Sequence, residues 1–267
     1  MVCGNEPNEK KSGGDKMSDI GINEMSQKLD IGGVRLCFKY FGEISDFPTV
    51  VFDSGYGCTL NYWSSIGGDI SKHTRMFIYD RAGIGESESD KRPRHSQQII
   101  ENLRSLLQKA NVSPPYVLVG HSFGGLNVRL YASTFPEEVA GVILLDPCHE
   151  DQNKVMVPLF SEEVQAAYYG QFVLEGSIQE MEESFEQARN SKSLGNKPLI
   201  VVSGTLQPHH NPESMAAWVH LHKELTKLST RSKHIIVENA GHAIHIDQPN
   251  VVVDIIKDML LLCKAQK

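Results

Sequence analysis

Pro115-Tyr116-Val117-Leu118-Val119-Gly120-His121-Ser122-Phe123-Gly124-Gly125-Leu126 is the stretch on which the reading of the whole chain turns. Tyr116 to Val119 predict a short buried strand. Ser122 follows at a sharp turn, and an apolar helix pattern follows the turn. A serine held at such a junction projects its hydroxyl from the carboxyl edge of a sheet, which is a nucleophile's position. Gly120 and Gly124 stand two residues either side of it. Strand and helix approach so closely there that a Cβ would clash, and Ser122 itself is expected at positive φ. The first N–H groups of the helix are expected to point at the same spot.

Working outward, residues 139–145 form a continuous apolar run between Pro136 and Pro147, which predicts a strand buried on both faces. Upstream, residues 25–29 and 34–40 flank Asp30-Ile31-Gly32-Gly33 and predict an antiparallel hairpin. Strands are expected over 48–52 and 74–79, with a helix over about 60–70 between them. Ile99, Ile100, Leu103, Leu106 and Leu107 share one face of a helix expected over 95–110. Downstream, strands are expected over 199–203 and 232–237, and helices from about 212 to 228 and from 251 to 262. This alternation predicts an α/β fold: a mainly parallel central sheet with helices on both faces, binding ligands outside the carboxyl ends of its strands.

Between 149 and 196 the rhythm breaks into helical patterns rich in Glu and Gln. The segment is expected to be a small helical cap inserted into a core made of residues 21–148 and 197–267. Met156, Phe160, Tyr168 and Phe172 of the cap, together with Tyr56, are the expected walls of an apolar substrate pocket.

Twenty-six Lys plus Arg against thirty-three Asp plus Glu leave a formal net charge of -7, with no dense basic block to neutralise a run of phosphates. Nucleic acid is therefore not an expected partner. No apolar run reaches the ~20 residues needed to cross a bilayer. The five cysteines are scattered without C-x-x-C spacing, so no thiolate metal site is expected. Residues 1–20 are polar and glycine-containing and are expected to be disordered. Cys3-Gly4-Asn5 reads either as part of a plain cytoplasmic tail or as the lipid-anchored start of a membrane-tethered, extracytoplasmic bacterial protein.

A serine hydroxyl needs a neutral imidazole to take its proton and a carboxylate to hold that imidazole. Among eleven histidines, His242 has the best setting, in a loop after a late apolar strand. His121 and His245 are read as packing residues. His209-His210, and likewise His220 with His222, lack a third ligand at recognisable spacing, so no metal or cofactor is expected.

Together these residues resemble the α/β-hydrolase family, in its capped, single-domain branch of serine esterases and iminopeptidases. The likeness rests on the elbow Gly120-His121-Ser122-Phe123-Gly124-Gly125 and on Asn239-Ala240-Gly241-His242 with the later Asp247-Gln248-Pro249. Tyr79-Asp80-Arg81-Ala82-Gly83-Ile84-Gly85-Glu86-Ser87 resembles the family's Asp-Arg-x-Gly-x-Gly-x-Ser turn. The resemblance implies an oxyanion hole from the backbone N–H groups of Tyr56 and Phe123, although Ser54 stands where the family usually has histidine. The family's commonest acid position is occupied here by Gln207. Asp146, at the end of the 139–145 strand, resembles the alternative acid position of some capped members, and Asp151 on the same exit loop is its rival. The implied activity is hydrolysis of carboxylic esters of small or medium acyl groups through an acyl-enzyme. An amidase or iminopeptidase with the same triad, and a non-catalytic ligand-binding protein, are the alternatives.

Overall fold

The computed structural model describes residues 25–264; the expectations for residues 1–20, Cys3 included, lie outside them. The chain opens with a hairpin of β1 (Gln27–Asp30) and β2 (Arg35–Gly42). Its turn is set by the Asp30 carboxylate, which accepts from the Gly32 and Gly33 N–H groups, both glycines lying at positive φ. Then follow β3 (Thr49–Asp53), α1 (Ser64–Ile70), β4 (Arg75–Tyr79), α2 (Ser96–Lys109), β5 (Tyr116–His121), α3 (Phe123–Thr134) and β6 (Val139–Leu145). Three helices, α4 (Gln152–Val155), α5 (Glu162–Gly170) and α6 (Ile178–Arg189), occupy the connection to β7 (Leu199–Gly204). The chain closes with α7 (Pro212–Leu225), β8 (Ser232–Val237), α8 (Ile244–Asp247) and α9 (Pro249–Lys264).

These strands make one eight-stranded sheet in the order β1-β2-β4-β3-β5-β6-β7-β8. Only the β1–β2 and β2–β4 pairings are antiparallel. From β4 to β8 the strands run parallel, so their carboxyl ends share one edge. Period-2 alternation splits each central strand between two cores. Leu118, Val142, Leu144 and Val201 pack with Ile100, Leu103, Val128 and Tyr131 of α2 and α3. Val117, Val119, Ile143 and Val202 pack on the other face with Ile66, Ile256 and Met259 of α1 and α9. Two covered faces explain why residues 139–145 are apolar throughout.

One boundary differs from the expectation, for a local reason. The helix expected over 60–70 divides into a 3-10 turn, Leu60–Trp63, and α1. The Asp80 carboxylate takes the Leu60 N–H at 2.7 Å, which fixes the turn's entry. Helix α3 starts at Phe123, directly after Ser122. Gly124 and Gly125 stand in its first turn although glycine is a poor helix former. Their lack of Cβ is required, since a side chain on Gly125 would meet Pro147 at 2.6 Å.

The three helices between β6 and β7 are tied to the sheet-bearing part at several points. A capping box of Ser177 and Glu180 starts α6, and Glu180 also accepts the Arg94 N–H at 2.8 Å. Ser184 accepts the Ser96 N–H at 2.9 Å, joining α6 to the first turn of α2.

Candidate active site

Strand β5 delivers Ser122 to the carboxyl edge of the sheet. Ser122 has φ 53° and ψ −120° and is buried. The Ser122 N–H donates to Leu145 O at 3.1 Å. The Ser122 carbonyl accepts from Gly125 at 3.0 Å and from Cys148 at 2.9 Å. The strained turn is thus anchored to the end of β6, and the chain after β6 is anchored to the turn.

Asp146 immediately follows β6 and is wholly buried, with φ 43°. Its Oδ1 accepts the Gly204 N–H at 3.0 Å. Its Oδ2 accepts from Gln207 Nε2 at 2.7 Å, Trp218 Nε1 at 3.2 Å and His242 Nδ1 at 2.7 Å. Burial pushes the carboxyl above its usual range, and nearby His222 and these N–H donors oppose that push. Below it, His222 Nε2 donates to Pro147 O at 2.9 Å while its Nδ1 meets Ser203 Oγ at 2.7 Å. Burial lowers the His222 pKa to about 4 although Asp146 pulls it up, which leaves a neutral ring.

His242 follows β8 and Asn239, which is at positive φ 60°. His121 Nε2 holds the His242 backbone carbonyl at 2.8 Å. Burial pushes the His242 imidazole down to about 3. Its Nε2 has no hydrogen-bond partner among the described residues. Ser122 Oγ is directed to Cys148 Sγ at 3.8 Å. The structure therefore brings Ser122, Asp146 and His242 to one edge and joins the last two, without a hydrogen bond between Ser122 Oγ and His242 Nε2.

Asp151, the rival acid, stands apart: its carboxylate is 41% exposed and pairs with Arg189 at 3.0 Å. Gln207, read as a departure from the family's acid position, is instead a donor to Asp146.

The loop Ser54-Gly55-Tyr56-Gly57 follows β3 on the other side of β5. Neither the Tyr56 nor the Phe123 N–H donates a hydrogen bond to another described residue. The Tyr56 ring packs edge-on against Phe123 and Phe172, with centroids 5.8 and 5.5 Å apart. Tyr56, Met156, Phe160, Tyr168 and Phe172 all belong to one buried apolar cluster with Phe123 and Trp218. Phe160 and Tyr168 also line a cavity of about 350 Å³ with Val164, Gln171 and His209. Met156, Phe172 and Tyr56 lie within the packed cluster instead of on that cavity's wall.

Sequence reasoning missed Trp218 as a donor to Asp146, Cys148 as the resting contact of Ser122, and the buried association of Arg81 with Asp53 and Glu175. The Asp-Arg pair of the turn after β4 was a visible signal for Arg81. Nothing in the local pattern singled out Glu175 or Trp218 from other polar and aromatic residues.

A family model for the alpha/beta hydrolase fold matches residues 48–180. "Uncharacterized protein YqjL" of Bacillus subtilis (strain 168) is 35% identical over 209 residues, covering 76% of this chain and 80% of that protein. A putative lipase from Acinetobacter baumannii AYE has a similar structure, with a TM-score of 0.68 at 18% identity over 91% of this chain and 93% of that one. A thermophilic esterase from Thermogutta terrifontis gives a TM-score of 0.63 at 19% identity, over 90% of this chain and 99% of that one. At such identities the structural likeness speaks for the fold alone. With the parallel sheet, the matched segment and the Bacillus relative taken together, this chain belongs to the α/β-hydrolase family.

Proposed function

We propose that the protein is a serine hydrolase that cleaves carboxylic esters of small or medium acyl groups through an acyl-enzyme. Ser122 is the nucleophile, His242 the general base and Asp146 the acid that orients and stabilises it. The observation that carries this reading is the 2.7 Å bond from His242 Nδ1 to Asp146 Oδ2, at the same sheet edge as a serine with φ 53°. With Nδ1–H donated to the carboxylate, Nε2 keeps its lone pair for a proton.

In the proposed cycle the Ser122 side chain turns from Cys148 toward Nε2. Its Oγ forms a bond to the carbonyl carbon as its proton passes to Nε2. The carbonyl oxygen, now negative, is held by the Tyr56 and Phe123 N–H groups. Collapse of the tetrahedral species breaks the bond to the alcohol oxygen, which takes the proton from Nε2. Water then attacks the acyl-enzyme by the same route and releases the acid with Ser122 restored. The helices between β6 and β7, residues 149–196, serve as the cap whose apolar cluster receives the acyl group.

Gln207, on which the non-catalytic alternative rested, donates to Asp146 and so supports the catalytic reading instead. The test is a fluorophosphonate probe read by intact mass, together with short- and medium-chain aryl esters. Wild type should label at Ser122 and turn over, and Ser122→Ala should lose labelling and about 10⁶-fold in kcat. A wild type that neither labels nor hydrolyses any of these esters ends this reading.

A further inference from the structure

The peptide that carries the Tyr56 N–H has its carbonyl on Gly55, and that carbonyl accepts from Arg81 Nη2 at 2.6 Å. A peptide unit is planar and trans, so its C=O and N–H point in opposite directions. Whatever fixes the Gly55 carbonyl also aims the Tyr56 N–H. A cation on the carbonyl end further strengthens the N–H as a donor, through cooperative polarisation at a site with little water.

All five N–H donors of Arg81 are used. Nη1 donates to Ser54 O at 2.7 Å and to Asp53, while Nε and Nη2 grip the two oxygens of Glu175, the second at 2.8 Å. Arg81 is 4% exposed and its two carboxylate partners 1% or less. Glu175 does not come from the sheet; it lies between α5 and α6, in the helical segment. Its Oε2 also accepts the Gly57 N–H at 2.9 Å. The Tyr56 hydroxyl donates to Gly176 O at 2.6 Å and accepts from Gly176 N at 2.8 Å and Glu175 N at 3.2 Å. Arg81 therefore holds the Ser54 and Gly55 carbonyls at one end of the loop, while residues 175 and 176 hold the Gly57 N–H and the Tyr56 hydroxyl at the other. A salt bridge serving only stability would need neither the guanidinium bonds to the Ser54 and Gly55 carbonyls nor the carboxylate bond to Gly57.

We propose that Arg81 and Glu175 are positioning residues for catalysis: Glu175, supplied by the helical segment, seats Arg81 against the Gly55 carbonyl and so directs the Tyr56 N–H at the oxyanion. The oxyanion hole is then complete only when residues 175–176 are docked, which links the cap to the chemical step. This rests on the hydrolase reading above.

The experiment compares wild type with Glu175→Gln, measuring the rate and final stoichiometry of fluorophosphonate labelling and the kcat and KM for an aryl ester per labelled site. The phosphoryl oxygen of the probe calls on the same N–H donors, so no natural substrate is needed. Labelling should still reach one per chain but about tenfold to a hundredfold more slowly, with kcat per site down by a like factor and KM moved less than about threefold. Tyr56→Phe keeps the N–H and the ring and frees only the hydroxyl anchor. It should show a smaller loss of the same kind, and it provides the reading should Glu175→Gln not fold. Fewer labelled sites that react and turn over at wild-type rates would mark a merely structural role and overturn the inference. A wild type inert to probe and ester overturns it along with the hydrolase reading; an active wild type whose rates both variants keep overturns it alone.

Discussion

Two buried carboxylate clusters flank the elbow of Ser122, and they are built differently. On the β6–β7 side Asp146 is surrounded by a backbone amide, a side-chain amide, an indole and an imidazole, none with a permanent charge. On the β3–β4 side Asp53 and Glu175 enclose the Arg81 guanidinium. Burial disfavours that cation, yet Glu175 and Asp53 outweigh burial and its pKa is raised above its ordinary value. In the proposed cycle the negative charge of Asp146 is left free to meet the positive charge that arises on His242. Arg81 already spends all five N–H donors on Asp53, Glu175 and two backbone carbonyls, so that cluster can hold a geometry but has no donor left to give to a reacting group. One cluster is suited to respond and the other to stay fixed.

Removing the responsive charge should have the largest effect. Asp146→Asn is expected to lower kcat about 10⁴-fold while the protein stays folded, since an amide cannot stabilise the imidazolium or impose the right tautomer. Steady-state kinetics on an aryl ester checks this, and a loss below about tenfold would break the contrast between the two clusters. Removing the fixed cation should act on stability as well as on rate. Arg81→Met leaves two carboxylates buried without their partner and should cost about 3–5 kcal/mol in urea unfolding. A cost under about 1 kcal/mol would mean that the clamp does not hold the loop.

Acid sharpens the comparison further. Burial holds the pKa values of His121 and His245 well below the ordinary value and that of His222 near 4. In the unfolded chain such imidazoles take up protons below about pH 6.5. The folded chain binds fewer protons between there and about pH 4, so stability is full above that window and falls as pH drops through it. His222 alone should remove about 1 kcal/mol between about pH 7 and 5.5, whereas Arg81 keeps its charge throughout. A urea midpoint that stays flat over this range would show that these rings gain protons without unfolding. The smallest effect is expected from Asp151→Asn, whose exposed carboxylate only meets Arg189: kcat within about twofold and stability within about 0.5 kcal/mol. A large loss there would move the acid to the rival position.

Much of the frame was legible because its signals are local. Residues 139–145 are apolar throughout and bounded by prolines, and the structure makes them β6. Ile99, Ile100, Leu103, Leu106 and Leu107 fall on one face by spacing alone, and all are buried in α2. Gln207 could be seen as a departure from a family pattern, but its meaning could not. A glutamine in place of a carboxylate reads as a loss until its amide is found on Asp146. Trp218 and Glu175 carry no mark at all, because each matters through a partner 72 or 94 residues away.

The sequence by itself determined the strand-turn-helix around Ser122, the alternation that makes a parallel sheet, and the break in that alternation after β6. Those follow from side-chain period and from where glycine is required, both readable within a few residues. Only the tertiary structure decided that Asp146 and not Asp151 meets His242. It alone directed the resting Ser122 hydroxyl to Cys148 and gave the loop after β3 a clamp from the helical segment. Each of these depends on groups from separate strands and helices converging within hydrogen-bond distance, and that convergence is a property of the packed sheet edge, which no stretch of the chain carries on its own.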